Sequence, residues 1–338
     1  MTQNDPLLPA PSPRRWQPRM IHGSATRHSE ALGDHVAILL SLHNGERWLN
    51  SQLDSFLAQT HTHWTLYWRD DDSTDSSRAI MLSFAAHRGN GRCVEIDDTC
   101  VSLGVRESYA LLVDASPSDS MIAFSDQDDV WHPQKLEWAL AKLRMVPDGT
   151  PGLYCARQWL TDADLNVIGE SARLRHQPDF ASGLTQNLAT GHTVLLNRDA
   201  ARLLRGFPPP EGVLHDWWAY LVVLGAGGAF LFDQRCVSHY RQHSRNAVGA
   251  QRSFFKRGVN ALRRGPQTFM RSFYACVNTL LSRPATLAPT AQALLEDIER
   301  AKTRRERLSL LRRYPELHRQ NRMETAVFRI WYLASLST

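Results

Sequence analysis

Three aspartates, Asp126, Asp128 and Asp129, fall within four positions of the segment SMIAFSDQDDVWHPQKLEWAL, although the 338-residue chain carries a net charge of +5. Two carboxylates one residue apart, just past an apolar run, face the same pocket where the chain turns, and there they repel. A hard divalent cation, Mg²⁺ or Mn²⁺, shared between carboxylates and substrate phosphates relieves that repulsion. The other reading is a solvated acidic turn that caps the helix starting near Pro133. The first reading uses Asp126 and Asp128; Asp129 then orders the turn into that helix.

Three further groupings carry chemistry. RDDDSTD, residues 69–75, offers carboxylates that accept hydrogen bonds from a base N–H or a ribose hydroxyl, or that simply cap a Ser/Thr/Asp turn. In HDWW, Asp216 precedes a strongly apolar run. It is either a helix N-cap or, partly desolvated beside Trp217 and Trp218, a general base. YRQHSRN supplies His243 as a third metal ligand and Arg241 as a phosphate partner, against the reading of a polar surface turn.

The elements that must position these residues follow from periodicity. HVAILLS, TLYWRDD, CVEID and SMIAFSD read as strands, and ERWLNSQLDSFLAQ, RAIMLSFAAH, GVRESYALLVDA and PQKLEWALAKLRM as the helices between them. Such alternation predicts an α/β fold with a mostly parallel sheet covered on both faces. Ligands bind such sheets beyond the carboxyl ends of the strands, where the polar clusters HNG, RDDDSTD and SDQDD all stand. Between 151 and 250 the pattern changes to GLYCARQWL and GHTVLLNR as strands, HDWWAYLVVLG as a helix and AFLFDQRCVSHYRQH as a last strand. Beyond 250 only helical periods are legible: RSFFKRGVNALRR, TFMRSFYACVNTLL, AQALLEDIERAKTRRERLSLLRR and ETAVFRIWYLASL. The domain expectation is a tail over 1–34 without order, a catalytic unit over 35–250 and a helical extension over 251–338.

Charge divides along the same line. Residues 251–338 hold 17 lysines and arginines against 6 acidic residues, leaving the preceding 250 residues net negative. Phe254 and Phe255 beside Lys256, Arg257, Arg263 and Arg264 suit an anionic lipid surface, or brace the catalytic unit with a solvated face. The charge would also suit nucleic acid, but no binding motif accompanies it, so no nucleic-acid partner is expected. Five scattered cysteines without a CxxC pair indicate neither a zinc site nor a disulfide framework, and reduced thiols in the cytoplasm are expected. Trp217 to Phe232 is an uncharged run of sixteen residues and the one candidate for a membrane span. It falls short of a membrane span and is interrupted by Gly225, Gly227 and Gly228.

Together, VAILLSLHNGERWLNSQLDSFLAQT, RDDDSTDSS, FSDQDDVWHPQKLE, NLATGHTVLLNR, HDWWAYLVV and YRQHSRNAVGA resemble the family 2 inverting glycosyltransferases of the GT-A fold, in their bacterial rhamnosyltransferase-like branch. The resemblance spans about 35–250. It implies that Asp126 and Asp128 form a metal-binding DxD motif completed by His243, with Mn²⁺ or Mg²⁺ as cofactor, and that Asp216 is the catalytic base. It also implies that Ser41, His43, Asn44, Asp71 and Asp126 line the nucleotide pocket. The implied donor is a nucleotide diphosphate sugar such as dTDP-rhamnose, or a UDP-hexose. The implied acceptor is a lipid-linked or growing surface glycan at the cytoplasmic face of the plasma membrane. A metal-dependent nucleotidyltransferase and an inactive sugar-nucleotide binding module are the rivals from other classes. The sequence departs from the family pattern at His43, usually Tyr, at Asp72, usually Gly, and at Ser102, usually Asn.

Overall fold

The structure is a computed structural model that describes residues 34–96, 101–243 and 254–335, with backbone alone over 254–265. The tail expected over 1–34 falls almost entirely outside the described residues, as do the side chains of Phe254, Phe255, Lys256, Arg257, Arg263 and Arg264. In chain order the first half runs β1 (Val36–Leu42), α1 (Leu49–Leu57), β2 (Trp64–Asp70), α2 (Ser77–His87), β3 (Cys93–Glu95), α3 (Val105–Ala115), β4 (Met121–Ser125), β5 (Val130–Trp131) and α4 (Lys135–Leu143). The second half adds β6 (Gly152–Thr161), β7 (Val167–Glu170), α5 (Phe180–Thr185), β8 (Leu195–Leu196), α6 (Arg198–Leu204), α7 (His215–Gly225) and β9 (Ala229–Arg241). The extension is α8 (Phe254–Leu281), α9 (Pro289–Arg300), α10 (Arg304–Arg313) and α11 (Arg322–Ala334).

One sheet runs β3-β2-β1-β4-β8-β6-β9-β5, with β7 on the outer side of β6. The long ladders, β1 with β2 and β4 and β6 with β9, are parallel, and the short β8 joins the halves by antiparallel pairing to β4 and β6. Val36 to Leu40 are all fully buried because β1 is covered on both faces, which is why it reads as a continuous apolar run. The expected α/β architecture with a mostly parallel sheet is therefore what the chain adopts.

Four details differ from the periodicity. GHTVLLNR is a 3₁₀ turn over Gly191–Thr193 followed by the two-residue β8, since the Thr193 and Val194 N–H groups bond back to Thr190 and Gly191. The two-residue β5 is too short to leave a pattern. The 251–281 region is one helix through Pro266, the proline removing a single ladder bond while Met270, Phe273, Cys276, Val277 and Leu280 bury the downstream face. AQALLEDIERAKTRRERLSLLRR is two helices, broken where Thr303 and Glu306 form a capping box.

The extension has no core of its own. Phe273, Val277, Leu294, Leu295, Phe328 and Tyr332 belong to one contiguous apolar cluster with Trp218, Tyr220 and Val223 of α7 and with Leu39 and Phe124 of the sheet. No helix among the described residues is long and apolar enough to cross a membrane.

Candidate active site

The loops after β1 and β2 are laced together. Asn44 stands at φ +50°, and its Oδ1 accepts from Thr74 N–H at 2.8 Å, while Ser73 and Ser77 hydroxyls accept from Asn44 and Gly45 N–H. His43 Nδ1 lies 2.8 Å from the Asp71 carbonyl oxygen. Asp71 itself is saturated: its carboxylate accepts from Arg69 Nη1 at 2.5 Å and from the Leu103 and Gly104 N–H groups at 2.6 and 2.9 Å. Burial alone would raise its pKa, but these donors outweigh burial and hold it below the usual range. Asp70 accepts from Ser73 N–H, and Asp75 from Ser77 and Glu46 N–H. Asp72, where the family pattern has glycine, is exposed at φ +62°, a left-handed conformation that glycine adopts without cost and aspartate tolerates. Ser41, His43, Asn44 and Asp71 thus gather at the carboxyl ends of β1 and β2, as the sequence led us to expect.

Past β4 the carboxylates have a different environment. Gln127 clamps the first loop, its side chain accepting from His43 N–H at 2.9 Å and donating to the His43 carbonyl at 2.8 Å. Gly45 is required beneath it, because an added Cβ would sit 2.4 Å from Gln127 Oε1. Asp128 Oδ2 meets His243 Nε2 at 2.8 Å, and the His243 ring stacks on Trp48 at 4.1 Å. Asp129, set aside in the sequence reading, is pulled inward because β5 pairs antiparallel with β9 immediately after it. Its side chain and that of His192 are fully buried, whereas that of Asp126 is 40% exposed. His192 Nδ1 lies 3.1 Å from Asp129 and 3.4 Å from Asp126, ion-pair distances without hydrogen-bond alignment.

The three aspartates share one strained electrostatic environment. Burial and the charge of Asp126 push Asp128 up; burial and both neighbours push Asp129 well above the carboxylate range. Burial would also raise Asp126, but His192 and more distant cations overcome it and lower its pKa. Behind them Lys135 is buried with its Nζ over the Trp131 ring at 2.9 Å, and desolvation drives its pKa well down. Carboxylates kept apart from sufficient countercharge in this way suit an oxygen-seeking divalent cation. Ligand atoms of Asp126, Asp129 and His192 lie within 4.8 Å of one another. Asp129 and His192 are sealed, so Asp126 is the accessible member of that trio, and the Asp128–His243 pair stands next to it.

Arg241, expected at a phosphate, is buried at the end of β9, where its Nη1 donates to the Ala163 carbonyl at the β6–β7 turn. In this conformation its side chain braces that turn.

Asp216 occupies the first turn of α7, where the helix dipole favours its charge. One oxygen accepts from Trp217 N–H at 2.6 Å and the other from Gly191 N–H at 3.1 Å. Burial nevertheless raises its pKa to about 6, the hydrogen bonds offsetting part of that effect. A carboxylate poised there is mostly ionised at neutral pH and basic enough to take a proton. Gly191 and His192 are consecutive, so one 3₁₀ turn touches Asp216 with its first residue and the acidic cluster with its second. A Cβ at Gly191 would meet His215 Nε2 at 3.1 Å and the Asp216 carboxylate at 3.6 Å. Gln127, Gly191 and His192 were missed in the sequence reading; the only signal was their place inside otherwise recognisable motifs.

The Glycosyl transferase family 2 profile matches residues 37–201, which carry the β1, β2 and β4 loops and the Gly191–His192 turn and stop short of Asp216 and His243. The chain is 30% identical over 190 residues to the Escherichia coli UDP-Glc:alpha-D-GlcNAc-diphosphoundecaprenol beta-1,3-glucosyltransferase WfgD, covering 56% of this chain and 69% of that protein. The chain belongs to glycosyl transferase family 2. It is also 24% identical over 226 residues to the Shigella flexneri dTDP-rhamnosyl transferase RfbG, covering 64% of this chain and 75% of the relative. Among solved structures, S. aureus TarS superposes with a TM-score of 0.53 at 11% identity, over 78% of this chain and 69% of that one. A TarS complex with UDP-GlcNAc aligns with a TM-score of 0.50 at 11% identity, covering 88% and 90%. At that identity the superposition concerns the fold alone, and the fold is GT-A. This family 2 enzyme is a glycosyltransferase.

Proposed function

We propose that the protein is an inverting, metal-dependent transferase that moves rhamnose from dTDP-rhamnose to a lipid-linked or growing surface glycan. The observation that carries the reading is the Gly191–His192 turn, which links a carboxylate of raised pKa to the acidic cluster within one pocket. Ser41, His43, Asn44 and Asp71 form the wall for the nucleotide. Asp126, Asp128 and His243 would hold Mn²⁺ or Mg²⁺, which would supply positive charge to a diphosphate leaving group. Asp216 Oδ accepts the proton of the acceptor hydroxyl as that oxygen attacks the anomeric carbon, and the bond to the diphosphate oxygen breaks on the opposite face. A single displacement inverts the centre and needs no second catalytic carboxylate, unlike the paired carboxylates of retaining hydrolases. Similarity to the Shigella rhamnosyl transferase supports the donor. Similarity to the E. coli glucosyltransferase favours a UDP-hexose as the second reading, and its named diphosphoundecaprenol acceptor supports a lipid-linked one. The basic extension fits work at the cytoplasmic membrane surface.

The test is incubation of the purified protein with Mn²⁺ and a panel of nucleotide sugars. Nucleoside diphosphate release highest with dTDP-rhamnose is expected. Highest release with a UDP-hexose would replace the donor, and release of sugar 1-phosphate in place of nucleoside diphosphate would put the attack at phosphorus and end the transferase reading.

A further inference from the structure

Away from the carboxylates, a cavity of about 590 Å³ opens where the extension meets the loop after β7. His176, His318, Arg319, Arg322 and Arg329 line it, and no aspartate or glutamate does. Arg322, Thr325 and Arg329 lie on one face of α11 at helical spacing, and Thr325 Oγ1 accepts from Arg319 N–H at 2.9 Å, which ties the preceding loop to that face. Gln320 fastens the opposite wall, its Oε1 accepting from the Arg175 and His176 N–H groups and its Nε2 donating to the His176 carbonyl. Arg319 makes no ion pair among the described residues: the charge of Glu324 reaches it without a contact, and its guanidinium lies over the Phe269 ring at 4.8 Å. Arg322 and His176 are likewise without a carboxylate partner among the described residues, and Arg329 donates only to the Pro315 carbonyl. A solvated arginine-rich face exposes its charges singly; here cationic groups converge on one hollow whose lining among the described residues holds no carboxylate.

The walls of the hollow pack against the elements that carry Asp216 and Gly191. Phe269, under Arg319, stacks on Trp217 with ring centroids 6.2 Å apart, and Trp217 follows Asp216 in the first turn of α7. On the other side the His318 carbonyl accepts from Thr185 Oγ1 and Gln320 N–H donates to Gln186 Oε1, gripping the end of α5 just before the segment that reaches Gly191. The cavity is thus braced against α7 and the end of α5, and none of its lining residues comes from the β1, β2 and β4 loops assigned to the donor.

We propose that this cavity binds a phosphate or diphosphate ester carried by the acceptor, so that the C-terminal helices anchor the acceptor while Asp216 meets its sugar hydroxyl. Guanidinium groups are the side chains best matched to phosphoryl oxygens, with two parallel donors each. The inference rests on the transferase reading and gives its acceptor a place.

The test is calorimetric titration of the full chain in EDTA, which keeps a metal from recruiting ligand to Asp126 and Asp128. Inorganic pyrophosphate and farnesyl diphosphate are the probes, with farnesol as the uncharged control. Both diphosphates should bind and farnesol should not. Arg322→Gln/Arg329→Gln should weaken both at least about 10-fold, the loss of charge-assisted bonds, and Asp128→Ala should leave both unchanged. The single exposed variant Arg322→Glu, with its melting temperature recorded, repeats the test should the double variant misfold. Affinity that survives these substitutions overturns the assignment, as does farnesol binding equally well. Pyrophosphate binding with farnesyl diphosphate refused overturns the acceptor as its source. Donor hydrolysis reads the transferase assignment separately: hydrolysis without diphosphate binding removes the cavity proposal alone, and diphosphate binding without hydrolysis of any nucleotide sugar removes the transferase reading alone.

Discussion

The loop after β2 and the loop after β4 both crowd aspartates at the carboxyl end of a parallel strand, yet the fold treats them in opposite ways. Asp71 and Asp75 are answered by N–H groups and, at Asp71, by a buried guanidinium, while Asp70 accepts from Ser73 N–H through one oxygen and keeps the other buried without a hydrogen bond. Asp126, Asp128 and Asp129 face one another, and two of the three are pushed toward protonation. In the first cluster N–H donors and a guanidinium outweigh burial at Asp71; in the second, burial and mutual repulsion outweigh the lowering contacts at Asp128 and Asp129.

Substitutions can break or sharpen that contrast. The largest effect is expected at Asp216→Asn, which removes the base and preserves shape: transfer should fall about 10²–10⁴-fold with donor affinity retained, read from kcat and nucleotide binding. In the parent enzyme, activity should decline as pH falls through about 6, where Asp216 becomes protonated. Full transfer by the variant would remove Asp216 from catalysis.

Next comes Asp71→Ala, which removes the carboxylate paired with the fully buried Arg69 and should cost about 3–5 kcal/mol in chemical denaturation. Because the folded-state pKa of Asp71 is depressed, its stabilising contribution is present above the ordinary carboxylate pKa and lost as pH falls below it. Asp128→Asn should act oppositely. Its folded-state pKa is raised, so the carboxylate favours folding at low pH and loses that advantage as pH rises through the folded value. In metal-free protein at pH 8 the variant should melt no lower than the parent, while Mn²⁺-dependent affinity for nucleoside diphosphate falls about 10-fold or more. A strong loss of stability at Asp128 would place it with the structural aspartates. The smallest expected change is at Asp72→Gly, where releasing a left-handed aspartate should raise stability by at most about 1 kcal/mol, seen as a small upward shift in melting temperature.

Much of the architecture was legible because local patterns carry it. The continuous apolar run of Val36–Leu40 marks a strand covered on both faces, and the polar clusters after β1, β2 and β4 mark where loops gather. The short pieces were not legible. β5 and β8 are two residues each, below any period, and the 3₁₀ turn at Gly191–Thr193 forms through bonds that an apolar run does not advertise. The helical extension was readable as helices, but its membership of the main apolar cluster was not, since amphipathic spacing says that a face is buried without saying against what.

The same division runs through the site. Sequence alone determined that carboxylates stand one residue apart after a strand, that another opens an apolar helix and that a histidine follows the last strand, because residue type and spacing are properties of the chain. Tertiary structure decided their roles. Pairing of β5 with β9 buries Asp129 and leaves Asp126 accessible, while the turn at Gly191 and His192 carries Asp216, some ninety residues downstream, to the same pocket. Burial and charge proximity set a carboxylate's pKa, and both come from contacts distant in sequence, so the division of labour among these aspartates exists only in the folded chain.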